Sequence, residues 1–137
     1  MLTALASTGP RRIVAGVGTL AAVLASAVVG HAADPSPDKA GVAFFEQKIR
    51  PVLVKHCYGC HSGRAKKLEG KFRLDSRKLI RKGGETGPAV VPGKPASSLL
   101  LAAIRYESLE MPPGGKLPNR VIADFETWIK LGAPDPR

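Results

Sequence analysis

Both cysteines of this chain fall in one nine-residue stretch, KHCYGCHSG at positions 55–63. Tyr58 and Gly59 separate Cys57 from Cys60, and His61 follows directly. Two thiols at this spacing beside an imidazole suit four chemistries: a disulfide, a thiol redox pair, half of a zinc site, or covalent attachment of haem.

The rest of the chain chooses among them. A disulfide between residues three apart closes a very small loop, and the loop-entropy model gives such a bridge the least stabilisation. A redox pair of the thioredoxin kind sits at a helix N-terminus next to a strand, where the dipole lowers a thiol pKa. Here the cysteines follow a helical pattern, and no stretch alternates apolar and polar residues convincingly at period two. Zinc needs four ligands, or three and an open position, yet the other histidines are only His31 and His56 and there is no third cysteine. Haem meets each objection. In C-x-x-C-H both thiols add to porphyrin vinyl groups, and the adjacent imidazole, His61, is placed to bind iron. His56 reads as an exposed helix-end residue near the negative end of a dipole, outside the attachment chemistry.

Iron held by histidine on one side carries methionine or histidine on the other, or stays open. Met1 and Met111 are the only methionines. Met111 lies in ESLEMPPGGKLPN, where the two following prolines restrict the backbone and bias Met111 itself toward an extended conformation. A loop methionine also serves as plain packing on apolar surface. With a haem present and no other soft ligand in the mature chain, the expectation is ligation by Met111. His61 and Met111 together would give six-coordinate, low-spin iron of higher potential, suited to one-electron transfer with no substrate at the metal.

The elements that must position these residues are helical. GVAFFEQKIRPVLVK, residues 41–55, places Phe45, Ile49, Val52 and Leu53 on one stripe that runs into the cysteines. Pro51 interrupts it, which predicts a kink or a fresh start near Arg50. Residues 62–95 read as a shaped loop rich in glycine and proline, and a loop of that length in a compact domain is uncommon unless it wraps something. A second helix is expected through ASSLLLAAIRY, with Pro95 in its first turn and Ser97 as N-cap. A third runs through NRVIADFETWIKL, where Val121, Ile122, Phe125, Trp128 and Ile129 form a stripe ended by Gly132 and Pro134. The expectation is an all-α domain of three to four short helices whose modest core needs a ligand to fill it.

Ahead of this domain, Arg11 and Arg12, the apolar run from Ile13 to Val29 and the small residues of GHAAD read as an export signal, residues 1–32, with cleavage after Ala32 or Ala33 and Ala32 favoured by Gly30 at the minus-three position. The alternative is a retained membrane anchor, as the run lies at the lower edge of bilayer-spanning length. Residues 33–41 form a proline-containing linker and residues 42–137 the domain. Losing residues 1–32 removes two arginines and no acid, taking the formal charge from +10 to +8. Basic residues concentrate in residues 63–83, where nine Lys or Arg face only Glu69 and Asp75. Export argues against nucleic acid as the partner and leaves anionic lipid, acidic polysaccharide, an acidic protein, or no partner at all.

With these motifs in place, the chain resembles the class I cytochrome c fold, and more closely the cytochrome c domain of planctomycete bacteria. The resemblance is carried by FFEQKIRPVLVKHCYGCHS, GKFRLDSRKLIRKGGETGPAVVPGKPASSLLLAAIRY, EMPPGGKLP and VIADFETWIKLGAPDPR, and spans essentially all of residues 42–137. It implies a small cytochrome c-like domain with long loops wrapping one covalent haem c. Thioether links at Cys57 and Cys60, with His61 and Met111 as axial ligands, follow from the same resemblance. It also implies a proline carbonyl that orients the proximal imidazole, from Pro88 or Pro92. Two departures stand out. Lys94 replaces the acidic residue usual before the proline of the second helix, and the sequence ends at Arg137 where such domains commonly continue into larger exported proteins.

The leading expectation is an exported c-type cytochrome module, periplasmic or otherwise outside the cytoplasm, that carries electrons and is not itself an enzyme. Its partners would be redox proteins or fused domains, met through an acidic docking surface, with membrane contact only if the signal segment is retained. Two alternatives stay open: a haem enzyme or gas-sensing module with an open iron position, and the N-terminal fragment of a larger exported redox or binding protein.

Overall fold

The computed structural model describes Gly9 and residues 39–137. The signal-peptide assignment, apart from Gly9, and most of the linker lie outside the described residues. The first helical body begins at Lys39, inside the stretch assigned to the linker. It comprises α1 (Lys39–Phe44), a π-helical turn (Phe45–Ile49) and α2 (Arg50–His56) without interruption. The π turn is where Pro51 makes itself felt. Proline has no N–H and its ring crowds the carbonyl four residues back, here that of Gln47. The turn widens instead of breaking, and Arg50 N–H bonds to the Phe45 carbonyl five residues behind it. Phe45, Ile49 and Leu53 are fully buried along this body, and Val52 is half-buried.

The long segment after the cysteines is not loop throughout. A 3-10 turn (Glu69–Lys71) and a short helix, α3 (Arg77–Lys82), lie within it. Ser76 caps α3 by accepting a hydrogen bond from Leu79 N–H at 3.2 Å. Only Leu79 and Ile80 are apolar in RKLIRK, so its amphipathic pattern is too short to stand out among basic residues. Beyond α3 the chain turns through Gly83, where φ is +71° and a Cβ would lie 1.8 Å from the Gly87 carbonyl oxygen. Only glycine permits that approach. The glycine-rich stretch is then pinned by Val90 N–H to Ile80 O (3.1 Å), Leu100 N–H to Ala89 O (2.9 Å) and Gly93 N–H to Ile129 O (2.8 Å).

A 3-10 turn (Pro95–Ser97) leads into α4 (Leu99–Ile104). Ser97 is not its cap. Ser98 holds that position, but its hydroxyl turns outward from the helix, donating to Lys94 O (3.0 Å) and accepting from Val91 N–H (2.9 Å). The last helix, α5 (Asn119–Lys130), buries Ile122, Phe125, Trp128 and Ile129 as its periodicity predicts. Trp128 is the centre of the core: its ring lies 5.6 Å from Phe45 and meets Phe125 edge-on at 6.2 Å, and its indole N–H donates to Pro134 O at 2.8 Å. Each fully buried side chain of this size contributes about 1.5–3 kcal/mol.

Among the described residues the fold is all-helical, with one isolated bridge between Gly84 and Gly87 and no strand. Counting the continuous first body once, there are four helical bodies, within the three to four expected. No described helix is long and apolar enough to cross a membrane.

Candidate functional site

The cysteine stretch folds as a tight turn grown from the end of α2. Cys57 N–H and Tyr58 N–H both donate to Leu53 O at 3.0 Å, and Cys60 N–H and His61 N–H both return to Cys57 O at 3.2 and 2.9 Å. The outgoing chain is tied back by Glu69 N–H to Cys60 O (3.2 Å) and Leu74 N–H to His61 O (2.8 Å). Both cysteines are free thiols. Burial pushes the Cys57 thiol up to about 11, whereas Cys60 is exposed.

His61 is 8% exposed and stacks at 34° on Phe72, ring centroids 4.4 Å apart. Burial lowers its pKa, with backbone interactions at Glu69 and Phe72 opposing, so the imidazole is held toward the neutral form that ligates metals. Its Nδ1 is buried with no hydrogen-bond partner among the described residues. Neither the Pro88 nor the Pro92 carbonyl therefore makes the orienting bond that the resemblance implied.

These residues open onto a cavity of about 380 Å3. Cys57, Cys60 and His61 line it with Phe72 and Leu74, with Gly84 to Gly87 and Ala89 of the wrapping loop, with Leu100, Ala103 and Ile104 around α4, and with Met111, Pro112 and Pro113. The volume falls in the range of small-molecule and cofactor pockets, and the lining is predominantly apolar, as such sites are. His56, exposed at the end of α2, also lines it, closer to the site than its bystander role suggests.

Met111 reaches this cavity on a loop closed against α4. Met111 N–H donates to Ala103 O at 3.3 Å, and the Tyr106 hydroxyl donates to Pro112 O at 2.8 Å. The Met111–Pro112 peptide is cis.

Two supports escaped sequence reasoning. Tyr58, between the cysteines, bonds through its hydroxyl to the Arg137 guanidinium, which also donates to Leu74 O (3.1 Å), lies 4.7 Å over the Phe45 ring and pairs with buried Asp135 at 2.6 Å. Asp75 accepts from Gly63 N–H (2.8 Å) and from Arg73 Nε and Nη2 (2.9 and 2.8 Å), tying down the chain just past His61. Nothing in composition or spacing marks these contacts, because each joins residues whose partner is fixed only by the fold. The basic segment from Arg64 to Lys82 is partly compensated: Lys67 pairs with Glu69, Lys71 with Glu85 and Arg73 with Asp75.

Residues 57–115 match the family model of the planctomycete cytochrome C. The match runs from the first cysteine to just past the Met111 loop, and it supports a planctomycete-type cytochrome c domain over this segment. No curated protein and no solved structure matched the chain. A cytochrome c domain implies one haem c, and the residues fit that group. Two free thiols at C-x-x-C spacing, a buried imidazole with an unpartnered nitrogen, and an apolar cavity lined by all three are what a planar macrocycle anchored at one edge needs.

Proposed function

We propose that this protein is an exported c-type cytochrome module that carries single electrons through iron ligated by His61 and Met111. The observation that carries this reading is that Met111, fifty positions beyond His61, lines the same apolar cavity as Cys57, Cys60 and His61. Bound there, haem c supplies reversible one-electron exchange at its iron. Cys57 and Cys60 would hold the macrocycle through thioether links. His61 would ligate the iron as a neutral imidazole, its ring packed on Phe72 and its backbone held by the hydrogen bond from Leu74 N–H to its carbonyl. Met111 would supply a second ligand to the iron through its thioether, leaving no position for a small molecule. The predominantly apolar lining would limit water around a bound haem, which would favour the less charged ferrous state and raise the potential.

Export is supported by the residue pattern of positions 1–32, and docking to an acidic redox partner by the exposed lysines of residues 66–82. The deciding experiment is production with a cytochrome c maturation system followed by denaturation. Haem should stay with the polypeptide in acidified organic solvent, and free extraction would refute covalent attachment. The ferric protein should show the weak far-red methionine-to-iron band. Its absence, with ready carbon monoxide binding by the ferrous form, would favour an open iron position instead.

A further inference from the structure

The loop that carries Met111 is closed by a tyrosine in an unfavourable backbone conformation. Tyr106, just past α4, has φ +64°, the left-handed region that glycine occupies freely and a side chain resists. From there its hydroxyl donates to the carbonyl of Pro112 at 2.8 Å, spanning six positions to the residue directly after Met111. Backbone bonds converge on the same place: Tyr106 N–H and Met111 N–H both donate to Ala103 O, at 3.1 and 3.3 Å, and Glu107 N–H donates to Ala102 O at 3.0 Å. Ala103 lines the cavity beside Met111 and Pro112. A non-glycine residue kept at positive φ is usually over-determined by its surroundings, and here the evident gain is the reach of the phenol.

We propose that Tyr106 is a positioning residue for Met111, its hydroxyl clamping Pro112 so that the thioether stays in the cavity. The inference rests on the reading of Met111 as an iron ligand and adds what controls its occupancy. A thioether is a weak, neutral donor, so the fraction of time it is bound follows the fraction of time its loop is closed. Removing one hydrogen bond of ordinary net strength shifts such an equilibrium about three- to tenfold. An external ligand that needs the vacated position gains apparent affinity by the same factor.

The test uses the haem-loaded ferric protein titrated with imidazole, followed by loss of the far-red methionine-to-iron band. Tyr106→Phe keeps the ring and removes only the hydroxyl, and should bind imidazole about three- to tenfold more tightly than the unmodified protein. Tyr106→Gly relieves the backbone at φ +64° but also lacks the hydroxyl, and should bind at least as tightly as Tyr106→Phe. Ser76→Ala, which removes the α3 cap away from the cavity, should lower unfolding stability and leave imidazole affinity unchanged. Unmodified affinity in Tyr106→Phe, recovery of that affinity in Tyr106→Gly, or an equal shift in Ser76→Ala would each overturn the clamp while leaving Met111 ligation standing. Absence of the far-red band from the unmodified protein would overturn Met111 ligation, and the clamp with it.

Discussion

Replacing Asp135 with alanine tests how the end of the described chain supports the cysteine turn. Asp135 is 1% exposed and accepts from Arg137 three times, from its backbone N–H and Nε at 2.9 Å each and from Nη2 at 2.6 Å. Removing one partner of a buried ion pair costs about 3–5 kcal/mol, mostly because the other charge is left desolvated and unpaired. Arg137 would keep Leu74 O, the Tyr58 hydroxyl and the Phe45 ring face, which places the expected loss at the lower end, about 3 kcal/mol. For a domain of this size that corresponds to a Tm lower by about 12 °C or more. The assay is thermal unfolding by circular dichroism on haem-loaded protein, comparing Asp135→Ala, Arg137→Met and the double variant. If the uncompensated guanidinium dominates, the double variant should be more stable than Asp135→Ala alone. A Tm drop below about 3 °C, or a double variant less stable than Asp135→Ala, would refute the reasoning.

Other outcomes follow from the same structure. Asp75 is held down to about 2, first by the hydrogen bond from Arg73 and also by that from Gly63 N–H, against the effect of burial. A depressed carboxylate stabilises the fold fully above its unfolded pKa and loses that contribution as pH falls through the folded value. Between about pH 4 and 2, unfolding free energy should therefore drop by about 1–2 kcal/mol more than in Asp75→Asn, after allowance for the partly exposed Arg73. Denaturant titrations at several pH values check this. Gly83→Ala would drive a Cβ into the Gly87 carbonyl at a positive φ, and should cost more than about 3 kcal/mol, seen as a large Tm loss or insoluble protein. Met111→Ala should abolish the far-red band, lower the reduction potential and admit carbon monoxide to the ferrous protein, with haem still covalently bound.

The candidate site residues were legible where chemistry imposes a spacing and the structural ones where burial imposes a period. Cys57, Cys60 and His61 stand out because the proposed attachment demands that order, and Met111, the proposed second ligand, because it is the lone methionine beyond position 1. The stripe of α5 is equally plain, since twelve residues give three turns of period. Six-residue α3 gives too few, and its apolar pair is lost among five neighbouring cations, Arg73, Arg77, Lys78, Arg81 and Lys82. Pro51 announced a disruption but not its form, because whether a helix kinks, restarts or widens is settled by packing on both sides. Ser97 was the better-looking cap, yet Ser98 takes the position because its hydroxyl also closes the Val91–Lys94 turn. Tyr106, Tyr58, Asp135 and Arg137 carry no local signature, since their roles exist only once distant segments meet.

The π turn at Phe45–Ile49 acts as a phase setting for everything downstream. An α-helix advances about 100° per residue, so residues spaced by four overshoot a full turn by about 40° each time. Phe45, Ile49 and Leu53 are spaced in just this way and are nevertheless all fully buried. The widened turn absorbs part of the overshoot, and α2 leaves it aimed so that Leu53 faces the core while Cys57, four residues on, faces the cavity. Deleting one residue from this turn would preserve the helix and its length to within 1.5 Å. It would also remove the widened turn and so change the angle at which the cysteines leave the helix relative to Phe45. The angular position of the thiols is thus encoded a full twelve residues before the first of them, in a stretch that makes no contact with the cavity.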